Sequence, residues 1–161
     1  MVTRNPSRWV RLGIIAFSIM GARSAVAQGS AEQQPQSLYD RLGGLAPISV
    51  VVNDFIEALV PDKVLNANPA IDAARKRVPP SYLKYHVTAL VCQATGGPCQ
   101  YHGRGMKESH AHMRITEREW DRMVELFQEV LAKHKVPAKE TQELLEIVSS
   151  TKAEIVMPTK S

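Results

Sequence analysis

Between Tyr82 and His112 the chain reads YLKYHVTALVCQATGGPCQYHGRGMKESHAH, gathering four of its five histidines and both of its cysteines. Imidazole ligates transition metals and titrates near neutrality, so metal, redox or gas chemistry would reside here. His110 closes the run Met106-Lys107-Glu108-Ser109-His110. On a short helix His112 would lie about 200° round from it, so the two cannot face one ion. An imidazole turned toward an apolar pocket suits a haem iron, with its second nitrogen held by a carbonyl or hydroxyl. His86 sits in an apolar helical pattern with Leu83, Val87 and Leu90 near it on the wheel. The Gly96-Gly97-Pro98 break lets two helices fold back, placing His86 and His110 on opposite sides of a flat cofactor. By residue type alone, each is equally a partnered core histidine or one on an exposed helix face.

Other chemistries lack their residues. The segment GGPCQYHGRG has no G-K-[ST] ending, so there is no P-loop. No G-x-S-x-G elbow occurs. No C-x-x-C-H occurs either, which excludes covalent c-type haem attachment. The carboxylates spread over solvated faces, and no catalytic residue is assigned. Two alternatives to haem stand beside it. In one, His102, His110 and His112 chelate copper or zinc. In the other, the chain is a degenerate helical module without a cofactor.

The first 27 residues read as an export signal. Arg4, Arg8 and Arg11 precede the apolar run LGIIAFSIMG, and Ala25-Val26-Ala27 offers a small-x-small cleavage site. That run is too short to span a bilayer, so the processed chain is expected to be free of the membrane. The destination is periplasmic or extracellular. Lys and Arg number 20 and Asp and Glu 16; the leader holds four Arg and no acid, so 20 − 4 = 16 basic residues remain and the processed chain is formally neutral. The basic character belongs to the leader and carries no nucleic-acid footprint. In an oxidising compartment Cys92 and Cys99 are candidates for a disulfide. The alternative is two buried thiols with diverging Cβ directions.

Residues 28–36 are polar and read as a disordered lead-in to one domain over 37–157. Ser37 to Leu42 forms a short helix ended by Gly43-Gly44. Leu45 to Val60 places apolar residues at 48, 51, 52, 55, 56 and 59, a helical spacing that Pro61 stops. Residues 61–80 read as loop, with a short helix near 70–76. From Ser81 a helix buries Leu83, Val87, Leu90, Val91 and Ala94 and stops at Gly96. A shorter one runs from Gly105 to His112. Thr116-x-x-Glu119 has the form of a capping box and opens a helix with Trp120, Val124, Phe127 and Leu131 on one face. After Val136-Pro137 a last helix spans 138–156, with Leu144, Ile147, Thr151 and Ile155 inward. No strand is expected, and the fold class is all-α.

In this order the motifs LYDRLGG (38–44), VVVNDF (50–55), GGP (96–98), YHGR (101–104) and MKESH (106–110) resemble the group 1 truncated haemoglobins, over nearly the whole chain after the leader. The resemblance implies a two-over-two helical sandwich holding haem b. His110 takes the proximal iron position. His86 falls ten residues before Gly96, where cyanobacterial members carry a distal histidine that can itself bind iron.

The chain departs from the family pattern on the distal side. Ile56 replaces the tyrosine that donates a hydrogen bond to bound oxygen, Val87 the distal glutamine, and Asn68-Pro69 the Phe-Phe that wedges the haem. Phe55, Ile56, Leu83 and Val87 are left to line the pocket, with His86 as its main polar group and Tyr82 or Tyr85 beside it. Met106 packs on the macrocycle, and Tyr101, Arg104 and Lys84 are candidates for the propionates. The expected function is binding of O2, NO or CO at His-ligated iron. A bis-histidyl resting state (His86 and His110) would suit a redox or gas-detoxification role with an electron-transfer partner. NO dioxygenase or peroxidase-like turnover is open to such an iron.

Overall fold

The computed structural model describes residues 35–157. The leader, residues 1–27, and most of the lead-in, 28–36, lie outside them. The described chain is helical; its one β-type pairing is an isolated parallel bridge between Ile115 and Val156.

Helix α1 (Leu38–Arg41) is fixed by a capping box: Ser37 Oγ accepts from the Asp40 N–H, and the Asp40 carboxylate accepts from the Ser37 N–H. Two turns that lie far apart in sequence close around it. Gly43 (φ 87°) and Gly44 (φ 84°) use the left-handed region to launch α2 (Leu45–Leu59), while the Tyr39 hydroxyl accepts from the Leu45 N–H at 3.0 Å. On its other side the Tyr39 ring covers Gly97, where a Cβ would come within 2.5 Å of Tyr39 Cδ2 and 2.8 Å of the Cys92 carbonyl oxygen. The Tyr39 N–H donates to Thr95 O at 2.9 Å. Tyrosine 39 thus joins the two glycine motifs. Arg41 reaches Glu140 (2.9 Å) and Glu143 of α8 (Ala138–Ser150), fastening α1 to the C-terminal part of the described residues.

Three helix pairings form the sandwich. Helix α2 packs on α5 (Pro80–Ala94) and on α7 (Glu117–Lys133), and α7 packs on α8 (Ala138–Ser150). Ile48, Val52 and Ile56 of α2 are buried against Leu83, Val87 and Val91 of α5. Leu38, Phe127, Leu131 and Leu144 form the second centre. Phe55 and Phe127 bridge α2 to α7 edge-on, 5.2 Å between ring centroids. Fully burying each of these side chains is worth about 1.5–3 kcal/mol, so these two clusters dominate the stability of the sandwich.

Several boundaries differ from the expectation. The stretch 61–80 holds the expected short helix as α4 (Pro69–Arg77) and also α3 (Lys63–Asn66), where only loop is expected. Asp62 caps α3 through the N–H groups of Val64 and Leu65, and Asn68 caps α4 through that of Ala70. Helix α6 is only Met106–His110, leaving His112 in the following turn. The last helix breaks at Thr151 and resumes as α9 (Lys152–Ile155), because the Met157 N–H donates to Ile115 O at 2.9 Å and draws the chain back beside the exit of α6. Of the expected inward stripe of α5, Leu83, Val87, Leu90 and Val91 are only half-buried and Ala94, at the C-terminal end of the helix, is exposed; Cys92 is the helix's one fully buried residue. Among the described residues no helix is long and apolar enough to cross a membrane.

Candidate functional site

His110 is the last residue of α6 and is half-buried. Its Nδ1 lies 2.8 Å from the carbonyl oxygen of Met106, one helical turn earlier. A carbonyl only accepts, so Nδ1 carries the proton and donates. Nε2 is then left with its lone pair, the form of imidazole that ligates a metal.

The surfaces around it fit a flat apolar group. Leu83, Val87 and Leu90 on α5 are half-buried. Helix α6 has no fully buried residue, and Met106 is half-buried beside His110. Both helices therefore keep apolar surface that their packing leaves uncovered. Together with the free Nε2 of His110, these residues fit a haem. Phe55, Leu83 and Val87 pack against the cluster of Ile48, Val52 and Ile56. Ile56 is 3% exposed, an aliphatic side chain where the family pattern has a hydroxyl.

His86 stands among phenol rings. Its imidazole lies 4.2 Å from the Tyr82 ring centroid, 5.1 Å from Tyr85 and 6.0 Å from Tyr101. Tyr101 reaches it from the loop after α5. The Tyr101 hydroxyl donates to Arg104 O at 2.8 Å, and its N–H donates to Gln93 Oε1 at 2.6 Å. Burial, reinforced by Tyr82, holds the Tyr101 phenol above its ordinary pKa, so it stays protonated at neutral pH. Arg104 is exposed and, among the described residues, forms no ion pair; Lys84, by contrast, is engaged by Glu57 across α2 and α5.

Cys92 and Cys99 are joined in a disulfide with Cα atoms 5.7 Å apart. The copper or zinc alternative loses its ligand set. Among the described residues no three of His, Cys, Asp and Glu gather as a metal site.

The sequence did not point to three features. Asn68 Nδ2 donates to Met113 O at 2.9 Å, a polar tie between α4 and the exit of α6. Gln93 anchors the Tyr101 backbone. A cavity of about 340 Å³, lined by Val51, Val52, Val91, Phe127, Leu131 and Leu144 among others, lies between α2, α7 and α8. Only the cysteine spacing signalled the loop; the cavity and the Asn68 tie arise from how distant segments meet.

Residues 37–157 match a family profile described as bacterial-like globin. A group 1 truncated haemoglobin of Nostoc sp. (strain MUN 8820) is 30% identical over 121 residues, 74% of this chain and 97% of that protein. Its counterpart in Nostoc commune is 29% identical over the same shares of each chain. Among solved structures, the Fe(III) truncated haemoglobin of Tetrahymena pyriformis superposes with a TM-score of 0.67 at 20% identity, covering 76% of this chain and all of that one. The 2/2 haemoglobin of Synechococcus sp. PCC 7002, in the cyanomet state and with covalently attached haem, gives 0.64 at 23% identity over 74% and 95%. The chain is a bacterial-like globin of the group 1 truncated haemoglobin family, with the two-over-two fold.

Proposed function

We propose that this globin holds haem b between α5 and α6, with His110 Nε2 as the proximal iron ligand and O2, NO or CO taken up on the opposite side. The observation that carries the reading is the 2.8 Å contact of His110 Nδ1 with Met106 O, which fixes the tautomer and aims Nε2 away from its own helix. The haem iron would supply the coordination and electron exchange. The chain's own residues would position and enclose it. Phe55, Ile56, Leu83 and Val87 would shield the distal side from water, Met106 would pack on the proximal side, and Tyr101 and Arg104 would lie toward the propionates.

His86 serves as a reversible sixth ligand in this reading. Ile56 offers no donor to bound oxygen, so His86 is the polar group nearest the distal face, and a gas must displace it. Such a site favours slow ligand capture, electron exchange with a redox partner or gas detoxification over oxygen storage. The leader and the Cys92–Cys99 disulfide support an exported, periplasmic or extracellular location.

Absorption spectra of the purified protein, oxidised and reduced, test both levels. A Soret band that is lost in His110→Ala supports the proximal assignment; unchanged pigment in that variant overturns it. A six-coordinate low-spin spectrum that becomes five-coordinate in His86→Ala supports the sixth ligand. A ferrous form already five-coordinate and high-spin without mutation rejects it. Protein that takes up no haem at all would be the degenerate module.

A further inference from the structure

We infer that the Cys92–Cys99 disulfide positions His86, through the Tyr101 ring two residues beyond Cys99, and so sets how often that imidazole reaches the iron. The inference rests on the proposed reading of His86 as a reversible sixth ligand.

Tyr82, His86 and Gln93 are spaced by one and two helical turns, so they share one face of α5. The loop after Gly96 folds back along that face and is tied to it three times: by the disulfide, by the Gly97 N–H to Cys92 O (2.8 Å), and by the Tyr101 N–H to Gln93 Oε1 (2.6 Å). The Tyr101 ring is also fixed on its far side. Its hydroxyl donates to Arg104 O, and the ring lies so close over Gly103 that a Cβ there would come within 2.2 Å of Tyr101 Oη.

Held in this way, the ring meets His86 edge-on, at 89° between the planes, while Tyr82 and Tyr85 flank the imidazole from α5 itself. His86 is boxed. Two walls move with its own helix; the third, Tyr101, belongs to the loop. In this inference an imidazole that reaches the iron gives up the Tyr101 contact, so the loop favours the open, gas-ready site. Tyr101 is a positioning residue, and the disulfide acts through it.

The test uses the full chain loaded with haem b. A small dithiol opens the bridge: the protein S–S bond breaks, two protons pass to the Cys92 and Cys99 sulfurs, and the dithiol closes to its own cyclic disulfide. The ratio of six- to five-coordinate ferric iron, read by absorption and electron paramagnetic resonance, should rise about three- to tenfold, the range of one edge-on aromatic contact. The same rise should appear in Cys92→Ser/Cys99→Ser and in Tyr101→Ala, and CO capture should slow in step. Tyr101→Ala keeps the disulfide, which guards against an effect of misfolding, and Tyr101→Phe, which keeps the ring over Gly103 and loses only the bond to Arg104 O, should give a ratio between wild type and Tyr101→Ala. Before haem is added, the nuclear magnetic resonance of the His86 ring protons should move on reduction and in Tyr101→Ala, and move less in Tyr101→Phe. A ratio that is unchanged or lower in the reduced protein and in Tyr101→Ala, or His86 signals indifferent to both, overturns the inference. If His86→Ala alters the spectrum while the loop variants do not, the sixth-ligand reading stands and the positioning role alone falls. If His86→Ala alters nothing in either redox state, both fall.

Discussion

His134 Nε2 and Lys133 Nζ each lie 2.8 Å from the same atom, Asp54 Oδ2, so the end of α7 is clasped to the middle of α2. The clasp sits at the rim of the cavity, which His134 also lines. Lys133 first, then His134 and Asn53, hold the Asp54 carboxyl well below the usual carboxylate range. A depressed carboxyl contributes stability that is present above its unfolded pKa of about 3.9 and is lost as pH falls toward the folded value. Asp54→Asn should therefore lower the urea midpoint at pH 7, and its deficit against wild type should shrink as pH drops from about 4 toward 2. A deficit that stays constant with pH would show that the clasp works by packing alone.

The disulfide closes a loop of eight residues, Cys92 to Cys99. Chain entropy assigns such a loop about 2.5 kcal/mol. Cys92→Ser/Cys99→Ser should lose about that much in equilibrium denaturation, with an unchanged slope against denaturant. A loss below about 1 kcal/mol would mean that the Gly97–Cys92 and Tyr101–Gln93 hydrogen bonds hold the loop unaided.

Returning a hydroxyl to the distal side should separate affinity from stability. In Ile56→Tyr the larger, polar side chain enters a position that is 3% exposed, and stability should fall by about 1–3 kcal/mol. Oxygen dissociation should slow about tenfold or more if the phenol reaches the ligand, as a charge-assisted hydrogen bond would give. Flash photolysis and stopped-flow mixing measure it. A dissociation rate equal to wild type would place the ligand out of reach of residue 56.

Asn68 does two tasks with one side chain, capping α4 and holding the carbonyl of Met113 beyond α6. Asn68→Ala should cost about 1–2 kcal/mol through the cap. If the Met113 tie steadies the proximal side, haem transfer to an apoglobin acceptor should also quicken; Asn68→Asp, which keeps the cap and loses the amide donor, should reproduce only the faster transfer.

The sequence spoke most clearly where structure is local. The Thr116–Glu119 capping box stands as read, with the Thr116 N–H donating to Glu119 Oε2 at 2.8 Å, and MKESH forms α6 with the intrahelical carbonyl that orients His110. Helix α3 escaped because its four residues, Lys63–Asn66, show no period; Asp62 alone marks the start. The last helix looked continuous because Leu144, Ile147, Thr151 and Ile155 keep one period, yet the distant Ile115 breaks it through Met157. The site divides in the same way. The histidines, the apolar lining and the cysteine pair carry signals in type and spacing. The register that lays Tyr101 on His86 depends on Gln93, Gly97 and Gly103 acting together, and no short motif encodes it.

Tyr39 has a bearing on how this protein would survive proteolysis. Its ring and amide hold the turn that opens α2 and the turn that closes α5, so a nick after Asp40 would cut Tyr39 from the rest of the domain and loosen both turns of the α2–α5 pair. A nick before Ser37 would leave that wedge in its slot. Trimming at the front of the domain should therefore be harmless down to one peptide bond and ruinous a few bonds later.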